Sequence, residues 1–149
     1  MDDEQYRQTR DAIDAPPCLY EKALQYGYYT CQFSRNITLG EREAVHCQSR
    51  TAYANCEHYY ALTLEKSGFA LGTRQLPAHL TFNNAMKVQI GGMQGAMRLS
   101  RKALSTQDIA DCLEYLKVMT PNFEQLDFSE IVPFIQAFSL RKRARQRSS

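Results

Sequence analysis

The sequence predicts a mainly α protein: a small irregular helical domain whose cysteine-rich N-terminal half is organised around a metal centre. Apolar residues recur at intervals of three and four in several segments, which is the signature of helix faces packed on a core. The chemistry is lopsided, since four of five cysteines and eight of nine tyrosines fall in the first sixty residues. A chain of 149 residues can bury one sizeable core but is short for two. The expected organisation is a single domain over 1–140, with a cysteine- and tyrosine-rich metal-binding half (1–70), a helical scaffold half (71–140) and a basic tail (141–149).

Along the chain, PPCLYEKALQYG reads as a short helix, with Pro16 and Pro17 suited to its start and Gly27 to its stop. That places Cys18 at a helix N-terminus. The following YGYYTCQFSRN is rich in turn residues, so Cys31 is assigned to a loop. Thr38 and Glu41 have the spacing of a capping box and predict a helix start. Ser49 begins another helix running to about Lys66, with Tyr53, Cys56, Tyr60 and Leu64 on one face.

In the second half, TFNNAMKVQIGGMQGAMRLS is assigned to a helix, although Met86, Val88 and Ile90 alternate as in a strand. Ser105 and Asp108 make a capping pair ahead of a stripe of Ile109, Cys112, Leu113 and Leu116, which Thr120 and Pro121 end. A last helix starts between Ser129 and Pro133 and buries Ile131, Phe134, Ile135 and Phe138.

The charge is as uneven as the chemistry. Residues 1–70 carry seven Lys/Arg against ten Asp/Glu, residues 71–140 six against six, and the tail adds five cations. The N-terminal MDDEQYRQTRDAID is not a signal peptide and no apolar run spans a bilayer, so no membrane insertion is expected and the localisation expected is cytoplasmic. In a reducing compartment, an odd number of cysteines argues against a disulfide framework and leaves metal or free thiols.

The four N-terminal cysteines, Cys18, Cys31, Cys47 and Cys56, follow C-x12-C-x15-C-x8-C. Four thiolates can hold a zinc ion or an iron–sulfur cluster. Zinc sites are commonly built on C-x(2–4)-C pairs, of which this sequence has none. A [4Fe–4S] cluster is a larger object that cysteines from separate segments can reach. Predicted helix N-termini at Cys18 and after Cys47 would favour thiolate. Tyr28, Tyr29, Tyr53 and Tyr60 are expected to shield the cluster, with Tyr59 beside them. Cys112 lies in an apolar stripe and is assigned to the core. A continuous helix over 39–66 would put Cys47 and Cys56 on opposite faces and disperse the site.

His46 and His58 adjoin cysteines and are candidates for a Cys3His zinc site; His79 stands apart. The glycines of KVQIGGMQG lack the endings of phosphate or dinucleotide loops and are read as close backbone packing. No catalytic signature is present, so the reading leans against an enzyme. Arg141, Lys142, Arg143, Arg145 and Arg147 form a polyanion-binding candidate. The expected function is that of a [4Fe–4S] protein acting in electron transfer, in redox sensing or as a cluster-bearing accessory subunit with a protein partner. The alternative is a structural-zinc adaptor, or a nucleic-acid-binding module contacting its target through the tail.

Overall fold

The computed structural model describes residues 2–11, 15–72, 80–100 and 107–140. The chain is mainly helical, with one two-stranded antiparallel sheet. The order is α1 (Asp3–Asp11), α2 (Glu21–Gln25), β1 (Ser34–Leu39), β2 (Arg42–Cys47), α3 (Arg50–Ser67), α4 (Phe82–Met86), a π-helical segment Lys87–Gly91, α5 (Gly92–Ser100), α6 (Ile109–Met119) and α7 (Phe128–Ala137). Among the described residues, no helix is long and apolar enough to cross a membrane.

The helix expected from Thr38 is instead a β-hairpin. Leu39 pairs with Arg42 across a two-residue loop, and Gly40 at its first position has φ +65°. A glycine there and no positive φ at Glu41 is the pattern of a type II′ turn, which matches the twist of paired strands. The Thr38–Glu41 spacing therefore belongs to a hairpin, and Thr38 faces Glu43 in the register.

The helix expected from Pro16 begins only at Glu21, because the preceding residues are used elsewhere. The Cys47 N–H donates to the Pro16 carbonyl (2.9 Å) and the Cys18 N–H to the Val45 carbonyl (2.8 Å). Residues 16–18 thus extend the free edge of β2. The N-terminus of α2 receives its acceptor from far along the chain: Gln89 Oε1 takes the Lys22 N–H (2.9 Å) and the Ala23 N–H (3.1 Å).

Helix α3 starts where its sequence indicates, with the Ser49 hydroxyl accepting the Ala52 N–H at 3.1 Å. Ser105 lies outside the described residues, and Asp108 itself caps α6 by accepting the Asp111 N–H at 3.1 Å. Asp127 caps α7, which starts at Phe128, one residue ahead of the expected interval.

The core lies between α3, the π-helical segment with α5, α6 and α7. It contains Tyr59, Met86, Val88, Ile90, Met93, Ile109, Leu113, Ile131 and Ile135. The glycine run is the closest crossing within it. A Cβ on Gly91 would lie 2.5 Å from Ile135 Cα, and one on Gly95 2.8 Å from Ile131 Cγ2. Backbone thus packs on backbone at this crossing, as the sequence reading of the glycines anticipates.

Candidate metal centre

Four separate segments bring cysteines to one cavity. Cys18 arrives on the strand-like edge beside β2, Cys47 ends β2, and Cys56 faces inward from the second turn of α3. Cys31 precedes β1 in a non-helical stretch, with its carbonyl accepting the Ser34 N–H at 3.1 Å. That stretch is clamped to the start of α6: the Thr30 N–H donates to Gln107 O (3.1 Å), the Ile109 N–H to Thr30 O (2.8 Å) and the Gln32 N–H to Asp108 Oδ2 (2.7 Å). Backbone hydrogen bonds, which need no bound group, set these positions.

All four sulfur-bearing side chains line the cavity, together with Tyr20, His46, Tyr53 and Ile109. The hairpin is what permits this, since it replaces the continuous 39–66 helix that would have separated Cys47 from Cys56. About 20 Å3 of the cavity is open to a water centre, roughly one water's worth, within about 370 Å3 not filled by protein atoms. All five cysteines are free thiols. Among the described residues, no group of three or more His, Cys, Asp or Glu side chains forms a site that could hold a metal ion. The metal-organised architecture read from the sequence is thus reduced here to a mainly helical fold with converging thiols.

The electrostatics differ from the sequence reading. Cys18 is not at a helix N-terminus, and burial pushes its thiol up to about 12. Burial likewise raises Cys31 and, further, Cys56, with the neighbouring cysteines adding to the Cys56 shift. These are protonated thiols at neutral pH. Metal binding here would have to displace protons, so affinity would climb with pH.

Two further polar atoms belong to the same walls. The Tyr20 hydroxyl and His46 Nδ1 are buried and have no hydrogen-bond partner among the described residues. His46 Nε2 lies 3.1 Å from the Arg10 carbonyl, which can only accept, so Nε2 carries hydrogen. The walls therefore carry four thiols, the ligand type that an iron–sulfur cluster takes, and two residues, Tyr20 and His46, each with a buried polar atom that has no partner among the described residues.

No family model, curated protein or solved structure matches this chain.

Of the expected tyrosine shell, Tyr53 lines the cavity. Tyr60 stands one layer behind, edge-on to Tyr20 with centroids 5.5 Å apart. Tyr28 packs on Phe138 at 5.4 Å, while Tyr29 is buried in the core and lines a different depression. Neither Tyr28 nor Tyr29 lines the cysteine cavity. Tyr59 is committed to the core, where its hydroxyl donates to Gly92 O at 2.6 Å. His58 packs near the Phe123 ring and does not line the cavity, so His46 alone of the two histidines fits the site. Cys112 is buried in the core beside Ser100, away from the four. His79 and the basic residues Arg141, Lys142, Arg143, Arg145 and Arg147 lie outside the described residues.

Sequence reasoning missed Tyr20. No local signal marked it, because residues 19 and 20 form a turn that brings Leu19 and Tyr20 alike to the cavity.

Proposed function

We propose that the protein holds a [4Fe–4S] cluster through Cys18, Cys31, Cys47 and Cys56 and relays single electrons. The observation that carries this is the convergence of four thiols from four segments on one cavity. Zn–S bonds of about 2.3 Å would bring the four sulfurs to about 3.8 Å of one another. A cluster is a larger object than a zinc ion and can be reached by cysteines from separate segments without the C-x(2–4)-C pairs that zinc sites use. Loading requires the thiols to swing outward, because the cavity has room for about one water.

Bound there, the cluster would supply a one-electron redox couple. The four cysteines would hold it as thiolates, having released their protons. Tyr53 and the Tyr20–Tyr60 pair would keep water from it, and burial is one of the determinants of potential. The Tyr20 hydroxyl can donate a hydrogen bond to sulfur. Four protein ligands leave no iron open, so the reading is electron relay rather than substrate chemistry at the metal.

The test is anaerobic reconstitution with iron and sulfide, followed by metal and sulfide analysis and electron paramagnetic resonance of the reduced protein. Four irons and four sulfides per chain are expected. Serine at any of Cys18, Cys31, Cys47 or Cys56 should lower cluster occupancy, and Cys112→Ala should retain it. Stoichiometric zinc in protein purified without added metal, or a full cluster in all four serine variants, would overturn the proposal.

A further inference from the structure

Beside the cysteine cavity lies an open groove of about 830 Å3, and the two share His46, Cys47 and Tyr53 in their walls. Cys47 is thus the cysteine common to both. Among the described residues, the only formally charged side chains on the groove are Arg35 and Arg50. Both are exposed, and neither makes an ion pair among the described residues. This cationic surface stands in the half of the chain that carries ten acidic against seven basic residues.

Arg50 is the first residue of α3, where the helix dipole favours an anion and a cation works against it. The dipole and both guanidinium groups therefore point the local field the same way, toward binding negative charge. Pro16, Pro17, Ile37 and Tyr53 line the same groove and add apolar surface to it. A polypeptide that alternates carboxylates with backbone fits that combination better than a compact anion, which would use only the charge.

We infer that this groove is the docking site for an acidic segment of a partner protein, its carboxylates meeting Arg35 and Arg50. The docking does not depend on the cluster reading above. Docking here places the partner against the wall that the groove and the cavity share.

The experiment uses the full chain and a fluorophore-labelled, capped hexaglutamate peptide, with affinity read by anisotropy at low salt, where charge interactions persist out to about 30 Å. Arg35→Gln and Arg50→Gln should each weaken binding about two- to fivefold, the size of an exposed charge pair. Unchanged circular dichroism would show that the variants fold. A double variant that binds as tightly as the parent overturns the inference. So does complete loss of binding when Arg141, Lys142, Arg143, Arg145 and Arg147 are changed to Gln with the groove intact. Inorganic phosphate that displaces the peptide at equal charge concentration would make the groove a small-anion site, which also overturns it. Iron and sulfide content, measured on the same samples, reports separately on the cluster.

Discussion

Replacing Tyr20 with phenylalanine should have opposite effects on the metal-free and the loaded protein. Tyr20 is 1% exposed and its hydroxyl has no partner among the described residues. A buried hydroxyl without a hydrogen bond costs about 1–3 kcal/mol. Tyr20→Phe removes that oxygen and leaves the ring, with its edge-on contact to Tyr60, in place. The metal-free variant should gain stability of that order, a rise of about 3–10 °C in melting temperature for a chain of this size. In the loaded protein, the same hydroxyl would donate to sulfur and stabilise the more negative, reduced state. Its loss should lower the reduction potential, by about 40 mV for each kcal/mol of differential stabilisation. Calorimetry of chelator-treated protein and a redox titration of reconstituted protein measure the two effects. A metal-free variant less stable than the parent would refute the reasoning, since the hydroxyl would then have been contributing to the fold.

Three other perturbations separate scaffold from site. Gly91→Ala should destabilise by about 1–3 kcal/mol or more in urea unfolding, because its Cβ would meet the Ile135 backbone at 2.5 Å, whereas Gly92→Ala, with its nearest contact at 3.6 Å, should be tolerated. Burial raises Cys112 to about 11, and a thiol whose folded pKa exceeds its unfolded value of about 8.5 stabilises fully below the lower value. That contribution should fade as pH rises through about 11, at up to about 1.4 kcal/mol per pH unit, and Cys112→Ala should reduce the alkaline slope of stability measured in the presence of chelator. Truncation after Leu140 should leave thermal stability near that of the full chain, because the Lys87 ammonium caps the end of α7 through Gln136 O (2.9 Å) and Phe138 O (2.8 Å); association with a polyanion such as heparin should weaken and lose salt dependence.

The scaffold was more legible in the sequence than the path into the site. Helices α3, α6 and α7 announce themselves through local signals: a capping Ser49 or Asp108, then apolar residues at helical spacing. The errors arose where a local signal had two meanings and a distant partner decided. Thr38 and Glu41 satisfy a capping pattern, yet Gly40 at φ +65° and the alternation of Ile37 and Leu39 suit a hairpin, and pairing with Glu43 to Cys47 selects it. Pro16 and Pro17 suit a helix start, but the Pro16 carbonyl is taken by the Cys47 N–H, thirty-one residues away. Gln89, which caps α2 in their place, carries no sequence signal at all, because its partner lies more than sixty residues upstream.

These long-range hydrogen bonds also bear on how the site forms. In a small zinc-dependent domain the metal supplies the folding free energy, and the chain is unfolded without it. Here, the cysteine-bearing segments are fixed by contacts that survive without metal: Cys18 and Cys47 by exchange with Val45 and Pro16, Cys31 by the Thr30–Ile109 clamp, and Cys56 by a helix of eighteen residues. The core that these segments rest on draws on α5, α6 and α7, which contribute no lining cysteine. The thiols are therefore gathered without any metal, and the cost of gathering them, including four partly buried thiols and two polar atoms unpaired among the described residues, is carried by the scaffold half. Folding here would thus not depend on metal, and any metal bound would still have to open the cavity to enter. It follows that serine variants at Cys18, Cys31, Cys47 and Cys56 should remain folded by circular dichroism whether or not they bind iron, which makes the proposed ligand assignment testable residue by residue.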